Sequence, residues 1–259
     1  MSDILLERNG SGVATITLNR PTRKNAFGPG MWDELRRILH EVSLTASDRV
    51  LVITGAGGAF CAGADLGGVA ASGEQMHPLH AMVPVNAAAI ALHELGKPSI
   101  AKVNGDAVGA GMNLALGCDL VVAGESARFS EIFARRGLSL DFGGSWLLPR
   151  LVGMHKAKEL AFFADILSAR EAERMGLVNR VVPDAELDAF VADWAERLSA
   201  SAPLALQLST KLLSNSCGIG LSEALDAEAA AQSVNLVSED TKEGVRAFLE
   251  KRKPTFRGR

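Results

Sequence analysis

Three glycine-rich stretches carry the residues of this 259-residue chain that could do chemistry. The most informative reads Gly137-Leu-Ser-Leu-Asp141-Phe-Gly-Gly-Ser145, where Asp141 is the lone charge. Burial against Leu140 and Phe142 would disfavour the carboxylate and raise its pKa toward values useful for proton transfer. The alternative is a turn aspartate whose side chain bonds the backbone of the following glycines. The other two stretches are Gly55-Ala-Gly-Gly-Ala-Phe-Cys-Ala-Gly-Ala64-Asp65-Leu66 and Asn104-Gly105-Asp-Ala-Val-Gly109-Ala110-Gly111. Small residues there let a ligand approach the backbone and free its N–H groups. At a helix start such groups point outward and favour negative charge. Two of them meeting at one point make an oxyanion hole.

Several other chemistries lack their residues. No stretch matches GxGxxG between a strand and a helix, and GxxxxGK[ST] and GxSxG are absent. Phosphates have a different candidate, the basic loop holding Arg20, Arg23 and Lys24. Of the histidines, His77 and His80 alone approach metal-ligand spacing, in a Gly/Pro-interrupted segment that reads as a loop; His93 reads as a surface residue near a helix C-terminus. Residues 67–83 are expected to shape a mobile pocket wall. Cys61, Cys118 and Cys217 are odd in number and form no CxxC pair, which argues for a reducing compartment and against structural zinc. A net charge of −3 gives no reason to expect nucleic acid or an anionic membrane as partner. The N-terminal residues lack a basic segment followed by an apolar run, so no signal peptide is expected. The apolar run over residues 81–92 is broken by Pro84 and Asn86 and is too short to span a bilayer. A cytoplasmic protein is the expectation.

These loops need elements to hold them. Residues 4–7 and 13–18 are β-rich runs around Asn9-Gly-Ser-Gly12, a hairpin signal. Gly28-Pro29 opens a helix with Met31, Leu35, Ile38, Leu39 and Val42 on one face. Residues 50–54, 99–103 and 120–123 are continuous apolar strands, suited to a sheet covered by helices. Strand, loop and helix alternate to about residue 195, which predicts an α/β core. Helices then follow over 186–200, 204–214, 221–236 and 239–251, with no strand between them. The division is an α/β core over 1–195 and a helical region over 196–259.

Taken together the chain resembles the crotonase superfamily, also called the enoyl-CoA hydratase/isomerase family. The matching segments include Leu18-Asn-Arg-Pro21, Lys24-Asn-Ala-Phe27, Ala59-Phe-Cys-Ala-Gly-Ala-Asp-Leu66, Asn104-Gly105, Gly117-Cys-Asp119, Ala127-Arg-Phe129, Gly143-Gly144, Leu148-Pro-Arg-Leu-Val-Gly153 and Gly176-Leu-Val178. The resemblance runs from about residue 4 to 256. It implies a crotonase-like spiral of ββα turns followed by helices that build a trimer or hexamer. It implies an acyl-CoA thioester substrate, no cofactor beyond that CoA, and a thioester oxygen held by the N–H groups of Ala64 and Ala110. Arg23, Lys24 and Ala26 would lie along the CoA, with Ala62, Asp65 and Leu66 near its adenine and pantetheine.

Two departures from the family pattern bear on the reaction. Where hydratases of the family carry two glutamates, this chain has Asn113 and Phe133, neither able to act as an acid or base. The register implied by the resemblance turns Glu131 away from the site. Asp141 falls where a subset of double-bond isomerases keeps a catalytic aspartate. The resemblance therefore points to an enoyl-CoA isomerase. A hydratase with Asp141 and an unusual partner, and a non-catalytic acyl-CoA binder, are the alternatives.

Overall fold

The computed structural model describes residues 2–67 and 78–259. The N-terminal hairpin forms as its residues predict. Strands β1 (Ile4–Arg8) and β2 (Val13–Leu18) pair antiparallel, and the Asn9 side chain accepts the Val13 N–H at 2.9 Å to close the turn. From β2 onward the larger sheet is parallel. It adds β3 (Val50–Gly55), β5 (Ser99–Val103), β7 (Leu120–Gly124) and β10 (Arg180–Val182), in the order β1-β2-β3-β5-β7-β10.

Successive side chains along a strand point to opposite faces, so each apolar strand feeds two cores. Leu51 and Ile53 of β3 join the larger core with Leu35, Ile38, Leu39 and Val42 of α1 (Met31–Leu44). Val50 and Val52 face the other way, against Leu187, Val191 and Ala195 of α6 (Leu187–Ser199). All five residues expected on the apolar face of α1 are buried, although the helix begins one turn after Gly28.

A second, four-stranded sheet takes two of its strands from the glycine-rich stretches that read as loops. It comprises β4 (Ala59–Cys61), β6 (Asp106–Val108), β8 (Arg128–Ser130) and β9 (Leu167–Ser168), in the order β4-β6-β8-β9. Each glycine-rich stretch that follows a β3- or β5-type strand thus turns and adds a short strand to this sheet, which lines the loops up side by side.

The helices between are α2 (Pro78–His93), α3 (Ala110–Leu116), α4 (Gly144–Phe163) and α5 (Ala169–Met175). The loop expected over 67–83 needs correction where it is described. From Pro78 the chain is helical, so His80 sits in the first turn of α2, and His77 lies outside the described residues. His93 is exposed as expected, with its ring edge-on to Trp146 at 5.2 Å.

The chain closes with α7 (Pro203–Ser216), α8 (Leu221–Val237) and α9 (Glu239–Leu249). These bury few side chains of their own, while Leu213, Leu221, Leu236, Val237, Phe248 and Leu249 are exposed. Among the described residues no helix is long and apolar enough to cross a membrane.

Candidate active site

The loop after β2 is fixed by a residue with no charge. Asn25 is fully buried; it accepts the Arg20 N–H at 2.9 Å and donates to the carbonyls of Ala56 and Ala59 at 2.9 and 2.8 Å. Both Lys24 (φ 48°) and Asn25 (φ 58°) take left-handed backbone to make these bonds. Such conformations cost about 1–2 kcal/mol each outside glycine, and the three Asn25 bonds offset that. The loop is thereby tied to the stretch after β3. The Ala62 N–H donates to the Lys24 carbonyl at 2.9 Å, Phe27 N–H to Gly63 at 2.8 Å, and Asp65 N–H to Phe27 at 2.9 Å.

This pairing uses the groups on either side of Ala64, whose own N–H has no partner among the described residues. Gly63, at φ 86°, presses on the next stretch. A Cβ there would lie 2.9 Å from the Val108 carbonyl and 3.4 Å from the Ala110 nitrogen, so only glycine fits. Ala110 is the first residue of α3, and its N–H has no partner among the described residues. Two unpaired backbone donors, at Ala64 and Ala110, therefore adjoin across Gly63. Gly109, at φ 57°, turns the chain into α3 and is pinned by donating to the Ser130 carbonyl at 2.8 Å.

Charge is organised around the same loop. Arg20, rather than Arg23, pairs with Asp65 at 3.1 Å, and its hydrogen bond holds the Asp65 carboxyl below the usual range. The carbonyl of buried Ala26 accepts from the Arg20 guanidinium. Lys24 reaches Asp106 at 3.0 Å, and Arg128 grips the same carboxylate at 2.8 and 3.0 Å. Burial would raise the Asp106 pKa, but the bonds from Arg128 and Lys24 outweigh it and hold it below the usual range. Two cations share one anion there, with Arg23 exposed nearby, so the loop keeps a net positive charge. Leu66, exposed, follows Asp65 at the edge of this surface.

The turn that holds Asp141 meets the same helix at Asn113, about one turn on from Ala110. Its main-chain carbonyl accepts the Gly144 N–H at 2.9 Å and the Asn113 side-chain amide at 3.0 Å. Its carboxyl takes no N–H from the following glycines, and Oδ1 is buried without a partner. The turn is made by the backbone, so the turn-aspartate reading does not account for the side chain. Burial pushes the Asp141 pKa up to about 6. The turn is anchored by the next residue: Phe142, at φ 46°, is buried with its ring 5.3 Å from Trp32, which stacks on Phe27 at 3.8 Å. The basic loop and the Asp141 turn thus share one aromatic stack.

Asn113 and Phe133 are both buried. The Phe133 ring packs beside Gly109, where a Cβ would meet it at 3.6 Å. The Asn113 amide faces the Asp141 turn, so tightly that a Cβ on Gly144 would fall 2.7 Å from Asn113 Oδ1.

Glu131 corrects an expectation. It is turned inward, 1% exposed, with Oε2 at 3.4 Å from the Asn113 amide nitrogen. The physical reason is local. Strand β8 ends at Ser130 and the chain bends at Glu131 (φ −83°, ψ 60°) into a 3₁₀ turn over Ile132–Arg136, so strand alternation no longer decides which side the residue faces. Burial, more than any neighbour, pushes its pKa up to about 8, and the Asp141 charge adds to the rise. The sequence held one signal for this: an acid flanked by Phe129, Ile132 and Phe133 has little water to reach.

The fold is that of a crotonase-fold protein. The family model for enoyl-CoA hydratase/isomerase matches residues 8–259, and the chain belongs to that family. It is 42% identical to a probable enoyl-CoA hydratase of Rhodobacter capsulatus, over 96% of this chain and 95% of the relative. It is 38% identical to the 1,2-epoxyphenylacetyl-CoA isomerase of Escherichia coli over the whole of both chains. The crystal structure of an enoyl-CoA hydratase from Bacillus anthracis superposes with a TM-score of 0.95 at 34% identity, covering all of both chains.

Proposed function

We propose that this protein is an enoyl-CoA isomerase in which Asp141 shuttles one proton. The observation that carries the reading is the Asp141 carboxyl: held in an apolar turn, free of backbone hydrogen bonds, and with a pKa raised to about 6. At neutral pH such a group is mostly ionised, yet basic enough to take a proton from carbon. From a 3-enoyl thioester the carboxylate removes a proton at C2. The C–H electron pair moves into the thioester carbonyl and gives a dienolate. Its charge rests on the thioester oxygen, between the Ala64 and Ala110 N–H groups. Asp141 then returns the proton at C4, and the double bond lies between C2 and C3. Each oxyanion donor contributes about 10²–10³ in rate, and the positioned acid/base roughly 10²–10⁴.

The CoA lies along Arg23, Lys24 and Ala26, with Ala62, Asp65 and Leu66 beside its adenine and pantetheine. Asn113 and Phe133 line the acyl end without taking a proton. No cofactor beyond the CoA of the substrate enters this chemistry, because no electrons leave the substrate. What supports the reading beyond Asp141 is that neither residue at the two hydratase glutamate positions can ionise. The relationship to an isomerase over its full length is consistent with it.

A second reading has its own observation. Glu131 is a buried acid beside Asn113, with Oε1 unpartnered. With Asp141 it could hold and activate water, which would make the protein a hydratase with a non-standard acid pair. Absorbance of the conjugated enoyl thioester separates the two. Under the isomerase reading a 3-enoyl-CoA gains the band and crotonyl-CoA keeps it. Loss of the band from crotonyl-CoA with no gain from a 3-enoyl-CoA would replace the isomerase by the hydratase. No change with either substrate, despite binding, would leave an acyl-CoA-binding protein.

A further inference from the structure

Glu131 is buried, acidic and unused by the one-proton shuttle. Its surroundings are specific. Oε2 lies 3.4 Å from the Asn113 amide nitrogen, which also donates to the Asp141 carbonyl at 3.0 Å. One amide thus joins Glu131 to the turn that carries the base. Three buried oxygens in this cluster have no partner among the described residues: Glu131 Oε1, Asn113 Oδ1 and Asp141 Oδ1.

Among the described residues no cation compensates Glu131. Helix α3, which presents Asn113, carries no ionisable residue. On β8, Arg128 is exposed and bound to Asp106. In the 3₁₀ turn, Arg135 is bound to Asp165, and Arg136 is exposed and donates to the Arg135 carbonyl. On α4, Arg150 lies over the Trp146 ring at 4.0 Å. The ionisable group that acts on Glu131 is Asp141, which carries the same sign of charge. A buried carboxyl with one long amide bond and a like charge beside it keeps its proton.

We propose that Glu131 is a positioning residue for Asp141, acting through Asn113, and that it serves the site only as an uncharged carboxyl. Uncharged, it accepts weakly from Asn113 and leaves that amide to hold the Asp141 carbonyl. Charged, it draws the amide toward itself, loosens the turn and sets a negative charge beside the developing enolate. Both effects slow the reaction. The order of ionisation fits. Asp141, near 6, gives up its proton while Glu131 is still neutral, and Glu131, near 8, must then ionise against the charge on Asp141. The inference rests on the isomerase reading for what Asp141 does, but not for the state of Glu131.

The test has two arms. In the first, 3-enoyl-CoA isomerisation is followed against pH for the parent and for Glu131→Gln, which keeps an acceptor oxygen and cannot ionise. The expected parent rate rises through about 6 and falls through about 8. In Glu131→Gln the rise stays and the fall disappears, so that the variant outpaces the parent roughly tenfold one pH unit above the Glu131 pKa. An alkaline fall of the same size in both proteins overturns the inference. In the second arm, ¹³C-carboxyl-glutamate NMR follows Glu131 directly, with Glu131→Gln assigning its signal. The expected signal titrates well above the ordinary glutamate range and moves to lower pH in Asp141→Asn. Titration in the ordinary range overturns the inference whether or not the protein isomerises anything. If the parent fails to isomerise, the isomerase reading falls by itself and this second arm still decides the state of Glu131.

Discussion

The side-chain amide of Asn113 donates to the main-chain carbonyl of Asp141 at 3.0 Å, so a buried neutral residue holds the turn of the residue expected to move the proton. Asn113→Ala should leave that carbonyl without its side-chain donor, at a stability cost of about 1–3 kcal/mol. It should also let the turn shift. Misplacement of about 1 Å near a reacting group can cost roughly a hundredfold in rate, so kcat for isomerisation should fall by about ten- to a hundredfold. KM should move little, because the surface proposed for the CoA is the loop around Lys24. Steady-state kinetics with a melting curve check this. Unchanged kcat with lowered stability would make Asn113 purely structural.

The Lys24 ammonium pairs with Asp106 at 3.0 Å and otherwise faces solvent, where the proposed CoA would meet it. Lys24→Ala should weaken CoA-ester binding by about 1 kcal/mol or more, since a charge-assisted bond contributes on that scale. Asp106 keeps Arg128, so the variant should fold normally. The difference in affinity should narrow as salt rises, because Lys24 is 63% exposed and its charge is screened. Calorimetry at low and high salt measures both effects. Equal affinities at low salt would remove Lys24 from the site.

The three C-terminal helices expose Leu213, Leu221, Leu236, Val237, Phe248 and Leu249, more apolar surface than a single chain has reason to leave bare. A trimer, or a multiple of three, is the expected state. Light scattering at micromolar concentration should give that mass. A monomer would contradict the expectation.

Strong periodicity made the main sheet and its helices legible in the sequence. Residues 50–54 read as a two-faced strand because every one of them is apolar or small, and all are buried. The helix of Leu35 and Val42 was equally plain. The second sheet was not, because β4, β6 and β8 have three residues each, too short for alternation to register among glycines. The pairing of those three comes from the parallel stacking of successive loops, a tertiary cause. The same holds for α2, where Pro78 and Pro84 read as breaks but Pro78 starts the helix and Pro84 lies within it.

The candidate site divides in the same way. Asp141 stood out because its neighbours are apolar, and the Ala64 and Ala110 donors because glycines surround them. Glu131 was misplaced because a backbone bend, invisible in residue types, turns it inward. The pinning role of Asn25 was also hidden. Its three bonds reach residues 5, 31 and 34 positions away, and no local pattern marks a side chain that serves distant carbonyls.

Asp141→Asn is the most direct measurement of the account. The amide has the size of the acid and cannot carry the proton between carbons. Isomerisation of a 3-enoyl-CoA should fall by at least about a hundredfold, while thioester affinity stays within a few-fold. The sign of the pH effect follows from the raised pKa. The base must be ionised to begin, so the parent rate is low below about 6 and rises as pH passes through that value. The residual rate of the variant should lack that rise. A variant that isomerises at the parent rate, with the same pH profile, would contradict the account and leave Asp141 a structural residue of the α4 turn.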